Sequence, residues 1–137
     1  MKLCSACLLG VTCRWDGKSK PCEKVLQLLR KEILIPVCPE QLGGLPTPRE
    51  PSEQHGAKVF SKSGKDVTIQ FVAGATETLK LAKLFGVKEA ILKQASPSCG
   101  SGRIPDGTFS GKSLEGDGVT TALLKKNGIS VISEEDL

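Results

Sequence analysis

Three short apolar runs in this chain each break, at the carboxyl end, into a loop that carries one cysteine. Leu3-Cys4-Ser5-Ala6 runs into Cys7, and Ile33-Leu34-Ile35-Pro36-Val37 runs into Cys38-Pro39-Glu40. Ala90-Ile91-Leu92 runs into Gln94-Ala95-Ser96-Pro97-Ser98-Cys99-Gly100-Ser101-Gly102. Apolar runs of this length bounded by Ser, Pro and Gly read as buried strands that end in loops with special backbone angles. Helical spacing fills the intervals. Pro21 suits a first helical turn, and Val25, Leu26, Leu28 and Leu29 carry that helix to about Lys31. A longer helix is expected from about Val67 to Phe85, with Asp66 as N-cap and Gly86 as C-cap. Its apolar face would be Phe71, Val72, Ala75, Leu79, Ala82 and Phe85. A third helix is expected from about Val119 to Lys126, followed by a strand from Ile129 to Ile132. This alternation predicts an α/β fold, a single domain over residues 1–137 with a mostly parallel, Rossmann-like sheet flanked by helices and joined by right-handed crossovers. Such sheets bind ligands outside the carboxyl ends of their strands, where the three cysteine loops would meet.

The other segments are punctuation. Cys38 to His55 reads as one long loop with Gly43-Gly44 and four prolines, a length that suggests a functional loop or lid. Ala57 to Phe60 suggests a short edge strand, and Glu134 to Leu137 an acidic tail.

Composition narrows the chemistry. Hydrophobic residues make up 39% and charged residues 25%, values typical of soluble globular domains. No stretch approaches the roughly 18 apolar residues of a membrane span. The N-terminus lacks a basic segment followed by an apolar core, so a cytoplasmic location is expected. Six cysteines in a reducing compartment point to metal or catalysis rather than disulfides. Cys4 and Cys22 fit as small buried hydrophobes, whereas Cys7, Cys38 and Cys99 sit among Gly and Pro, where core residues are out of place. A net charge of +4 with 4% aromatics falls short of a nucleic-acid-binding surface. It accommodates an anionic small substrate, and a Lys-rich solvated surface explains it equally well.

Several chemistries share these cysteines. Cys4-Ser5-Ala6-Cys7 has redox-dithiol spacing, but Cys4 lies inside a strand and not at a helix start that would lower its pKa. Zinc favours two close-spaced ligand pairs, which three separated cysteines do not supply unless Cys13 joins them. Three lone thiolates suit an iron–sulfur cluster with one iron left open, and Cys13 as a fourth ligand would make an electron-transfer centre. His55, the only histidine, is left unassigned.

The motifs Ser5-Ala6-Cys7-Leu8-Leu9-Gly10, Cys13-Arg14-Trp15-Asp16-Gly17, Pro36-Val37-Cys38-Pro39-Glu40, Leu42-Gly43-Gly44-Leu45-Pro46-Thr47-Pro48-Arg49, Ser96-Pro97-Ser98-Cys99-Gly100-Ser101-Gly102 and Asp106-Gly107-Thr108-Phe109-Ser110-Gly111 resemble, in order and over nearly the whole chain, the thiouracil desulfidase family. The resemblance implies a [4Fe-4S] cluster on Cys7, Cys38 and Cys99, with Glu40 as catalytic acid–base and Ser96 assisting it. It implies removal of sulfur from a thiolated uracil, as base or nucleotide. The resemblance also implies a relative with an extra domain that acts on thiouridine in tRNA; this chain has no room for that domain, so free base or nucleotide is expected rather than tRNA. Ser98, Arg49 and Arg103 are candidates for holding the substrate, and the Gly116-Asp117-Gly118 amides for holding a phosphate.

Overall fold

The computed structural model describes residues 1–137. Four parallel strands form the central sheet: β1 (Lys2–Ser5), β2 (Leu34–Val37), β5 (Glu89–Leu92) and β8 (Ser130–Ser133), in the order β2-β1-β5-β8. Side chains alternate across it. Leu3, Ala90 and Leu92 enter one core with Ala82 of α3 (Thr68–Phe85) and Leu124 of α4 (Val119–Lys126). Cys4 and Ile91, one register position over, enter a second core with Val25 of α1 (Glu23–Leu28). The period of two thus sends neighbouring residues to opposite faces, and helices cover both. Pro36, which donates no ladder hydrogen bond, is tolerated because β2 is an edge strand.

The order places β1 between β2 and β5, so the chain leaves β1 in one direction and returns on its other side. The loops after β1, β2 and β5 therefore open together at the switch point of the sheet.

Several expectations shift. The stretch from Cys38 to His55 is not one loop: it holds the short helix α2 (Pro39–Leu42) and strand β3 (Ser52–His55), which pairs antiparallel with β4 (Lys58–Ser61). Local Gly and Pro hide this because the hairpin is defined by its partner strand. A second hairpin, β6 (Arg103–Pro105) with β7 (Ser113–Glu115), frames the Asp106–Gly111 turn. The buried stripe of α3 is Phe71, Gly74, Ala75, Thr78 and Ala82, while Val72 and Phe85 face solvent. The helix is rotated because α2 packs against Gly74, as described below. Asp66 accepts from the Thr68 amide at 2.9 Å, one position outside the N-cap, Val67. The acidic tail is a 3-10 turn, Glu134–Asp136, and Glu134 docks onto the Gln94 amide at 2.9 Å.

Candidate metal centre

Each cysteine loop is shaped by its own residues. After β1 a 3-10 turn, Ala6–Leu9, ends at Gly10, whose φ of 99° suits glycine. The Lys20 amide returns to the Cys7 carbonyl at 2.9 Å, so the Val11–Lys20 loop folds back over that cysteine. Cys38 is the N-cap of α2 and Pro39 its first residue, which fixes the turn that presents Glu40. In the third loop Gln94 closes the span: its Oε1 accepts from the Ser101 amide at 2.9 Å and its Nε2 donates to the Ser101 carbonyl at 2.8 Å. Ser96 Oγ accepts from the amides of Ser98 and Cys99 at 3.2 and 3.1 Å. The first amides of α4 then donate back to this loop, Val119 to Pro97 and Thr120 to Ser98, and Thr121 Oγ1 donates to the Cys99 carbonyl at 2.8 Å. Gly118 has to be glycine, because a Cβ there would overlap the Ser98 carbonyl.

These loops enclose a cavity of about 320 Å³. Cys7, Cys13, Cys38 and Cys99 line it together with Glu40, Arg49, Ser96 and Ser98. Cys13 lies beside both Cys38 and Cys7, and its carbonyl accepts from Cys38 Sγ at 3.6 Å. The Cys38 thiol is pushed up, first by its hydrogen bond with Cys13 and then by burial. Burial pushes the Cys99 thiol up to about 12, with Ser5 and Ser98 pulling the other way. Cys4 is also pushed up to about 12 by burial, but it lies outside the cavity. Free thiols gathered on one cavity, with Cys38 Sγ spent only on the Cys13 carbonyl at 3.6 Å and Cys99 Sγ only on the Ser98 hydroxyl at 3.6 Å, are a donor set that gains from a metal, since the metal takes the place of their protons. No three His, Cys, Asp or Glu side chains are disposed to close on one metal ion. Thiols spread around a cavity fit a multi-iron cluster, in which each thiolate meets its own iron, better than a single zinc.

Glu40 is the hub of the polar side. Its Oε1 accepts from Arg49 Nε at 2.9 Å and its Oε2 from Ser98 Oγ at 2.8 Å. Ser98 Oγ in turn lies 3.1 Å from Ser96 Oγ. Arg49 is only 7% exposed and spends its other donors on Thr47 Oγ1, the Pro46 carbonyl and the Cys13 carbonyl. Four of its five N–H groups are thus engaged within the protein, chiefly in orienting Glu40. The Ser98 hydroxyl proton is likewise directed to Glu40 rather than outward.

Arg103 stands outside the cavity, where it pairs with Glu135 at 2.7 Å. The Gly116-Asp117-Gly118 segment is not an anion site: the Gly118 amide donates to the Gly100 carbonyl, and Asp117 pairs with Lys125 and accepts from the Gly102 amide. Lys93, Gln94 and Glu53 also line the cavity, unsignalled in the sequence because each is placed by a distant partner. Lys93, for example, is anchored through its amide to Ser5 Oγ, 88 residues away.

Fold and cavity together define a small α/β protein with a thiol-lined centre at the switch point of its sheet. A family model described as 2-thiouracil desulfurase matches residues 3–136, and the chain belongs to that enzyme family. It is similar to a solved structure of the [4Fe-4S]-dependent thiouracil desulfidase TudS, with 48% identity and a TM-score of 0.94 over 99% of this chain and 91% of that one. It is also similar to the uncharacterized protein YbbK of Bacillus subtilis (strain 168), 47% identical over 100% of this chain and 97% of that protein.

Proposed function

We propose that the chain removes sulfur from a thiolated uracil, as free base or mononucleotide, with a [4Fe-4S] cluster held by Cys7, Cys38 and Cys99. One contact supports this reading most. Ser98, beside Cys99, donates to Glu40, two residues after Cys38, at 2.8 Å across 58 residues of chain. The contact joins a carboxylate capable of acid–base work to two of the three thiols. Membership of the 2-thiouracil desulfurase family and the 48% identity to TudS support the substrate class and the cofactor.

Bound there, the cluster supplies an iron without a protein ligand, a soft Lewis acid for a thiocarbonyl sulfur. The chain's own residues supply orientation and protons. Arg49 and Ser98 fix both oxygens of Glu40, which leaves lone pairs on the cavity side for a water. Glu40 takes a proton from that water as it attacks the ring carbon, then returns it to the departing sulfur. Ser96 Oγ accepts two amides, so its own hydrogen is left to donate, to Ser98 Oγ or to a substrate oxygen. The balance is one water in and one hydrogen sulfide out. A C–O bond replaces a C–S bond and no electron is transferred.

The test is iron, acid-labile sulfide and sulfide release from thiouracils, measured on protein purified without oxygen. Cys99→Ala is expected to lose iron and activity together. Glu40→Gln should keep its iron and lose turnover by about 10²- to 10⁴-fold. Cys13→Ala should retain iron; iron loss as complete as in Cys99→Ala would instead mean a fully ligated, electron-transfer cluster.

A further inference from the structure

The cavity has one aromatic side chain on its wall, Trp15. It is also the only tryptophan of the chain, and it leaves 43% of its surface in solvent. A lone exposed apolar residue is ordinary by itself. The setting of this one is not, because its backbone is pinned from several sides. The Trp15 carbonyl accepts from the Arg49 amide at 2.8 Å, and the turn around it is closed by Gly17 donating to Arg14 at 2.9 Å and Arg14 to Lys18 at 3.1 Å. Asp16 ties the same turn down through the Lys18 amide at 3.0 Å. Arg49, whose amide holds Trp15, also holds Glu40 through its guanidinium. The indole and the carboxylate are thus referenced to one residue.

The inference rests on the desulfidase reading and deepens it. A thiolated pyrimidine is a flat ring with its chemistry on the edge: the sulfur must meet the thiol-lined floor and the ring carbon must meet the water at Glu40. What remains is the ring face, which needs an apolar wall. A cavity of about 320 Å³ lies at the small end of ligand pockets, a scale that suits a small flat ring at its floor. We infer that Trp15 is the stacking platform that holds the pyrimidine ring, and that it sets affinity for the base rather than the rate of its chemistry. An aromatic side chain on a backbone fixed in this way has only two torsions to order on stacking, which is why such a wall is effective.

The test uses the full chain with its cluster, purified without oxygen. Because the chain has one Trp and no Tyr, its fluorescence reports Trp15 alone. Uracil, the product ring, is titrated against that signal, and KM and kcat for 4-thiouracil are measured beside it. Uracil should change the Trp15 emission saturably. Trp15→Ala should raise KM by about 5- to 150-fold at nearly constant kcat and unchanged iron content, and Trp15→Phe should restore most of the affinity. Unchanged KM in Trp15→Ala, or a variant that instead sheds iron in air faster than the parent, overturns the platform and makes Trp15 a cover for the cluster. If the parent chain releases no sulfide from any thiolated pyrimidine yet uracil still saturates the emission, the desulfidase reading falls while the platform stands.

Discussion

Arg49 illustrates how much of the site depends on single side chains. Its guanidinium joins Glu40, the 46–47 turn and the Cys13 carbonyl, with both partners of the Glu40 pair largely buried, at 7% and 13% exposure. Removing one member of such a pair leaves a buried charge without its partner, at a cost of about 3–5 kcal/mol. Arg49→Ala is therefore expected to lower the urea midpoint clearly. Arg49→Lys keeps the charge but not the fork, so it should stay folded and still lose about 10²-fold in turnover as Glu40 drifts. A fully active Arg49→Lys enzyme would show that the carboxylate needs no orientation from this side. Which residues line the cavity was legible in the sequence only where the signal is local. Cys7, Cys38 and Cys99 could be read from strand ends that break into Pro and Gly, and all three line the cavity, whereas Glu40 was implied by the family resemblance. The role of Ser98 as donor to Glu40 could not, nor could that of Gln54, which ties the Pro97 carbonyl to β3 from 43 residues away. Arg49 and Arg103 looked alike as cations, and only tertiary contacts turn one inward and the other onto the surface.

At the scale of elements, α2 and α3 meet where both lack side chains. A Cβ on Gly74 would overlap the Pro39 carbonyl, and one on Gly43 would overlap the Gln70 carbonyl. Glycine in mid-helix costs about 1 kcal/mol relative to alanine. Its presence at position 74 of an 18-residue helix is explained by the close approach that seats Cys38 and Glu40 over the cavity. Gly74→Ala sets helix propensity against this overlap with rigid backbone, and the overlap should win by about 1–3 kcal/mol. Urea denaturation measures it: a lower midpoint is expected, together with weaker iron retention, since Cys38 must move with α2. A more stable Gly74→Ala protein would mean that the two helices can part freely. The sequence carried α3 through its helical period and the four sheet strands through short apolar runs, because α3 is buried on one side and the strands on both. It signalled β4 as a short edge strand but concealed α2, β3 and the β6–β7 hairpin. A four-residue helix has too few turns to show a period, and a hairpin strand is defined by a partner that the local sequence does not name.

For the whole molecule, the two apolar cores lie on opposite faces of the sheet and the thiols are divided between them. Cys99 packs with the core under α3 and α4, whereas Cys7 and Cys13 belong to the core under α1. Each core has its own set of hydrophobic contacts, so the fold is expected to form without a metal. Anything bound to Cys7, Cys38 and Cys99 at once would nevertheless tie the two halves together across the open end of the sheet. A ligand that binds only the native state adds stability of about 2.7–4.1 kcal/mol at 100–1,000 times its dissociation constant. At roughly 4 °C per kcal/mol for a chain of this size, that becomes about 11–16 °C in Tm. Removing iron from anaerobic protein by chelation should therefore lower Tm by that amount while leaving the far-UV circular dichroism of the folded state unchanged. Cys99→Ala, which cannot bridge the cores, should already sit at the lower Tm and respond little to chelator. Loss of helical signal on chelation would show that the cores are not self-sufficient and that the metal organises the fold. An unchanged Tm would show that the three thiols are not bridged.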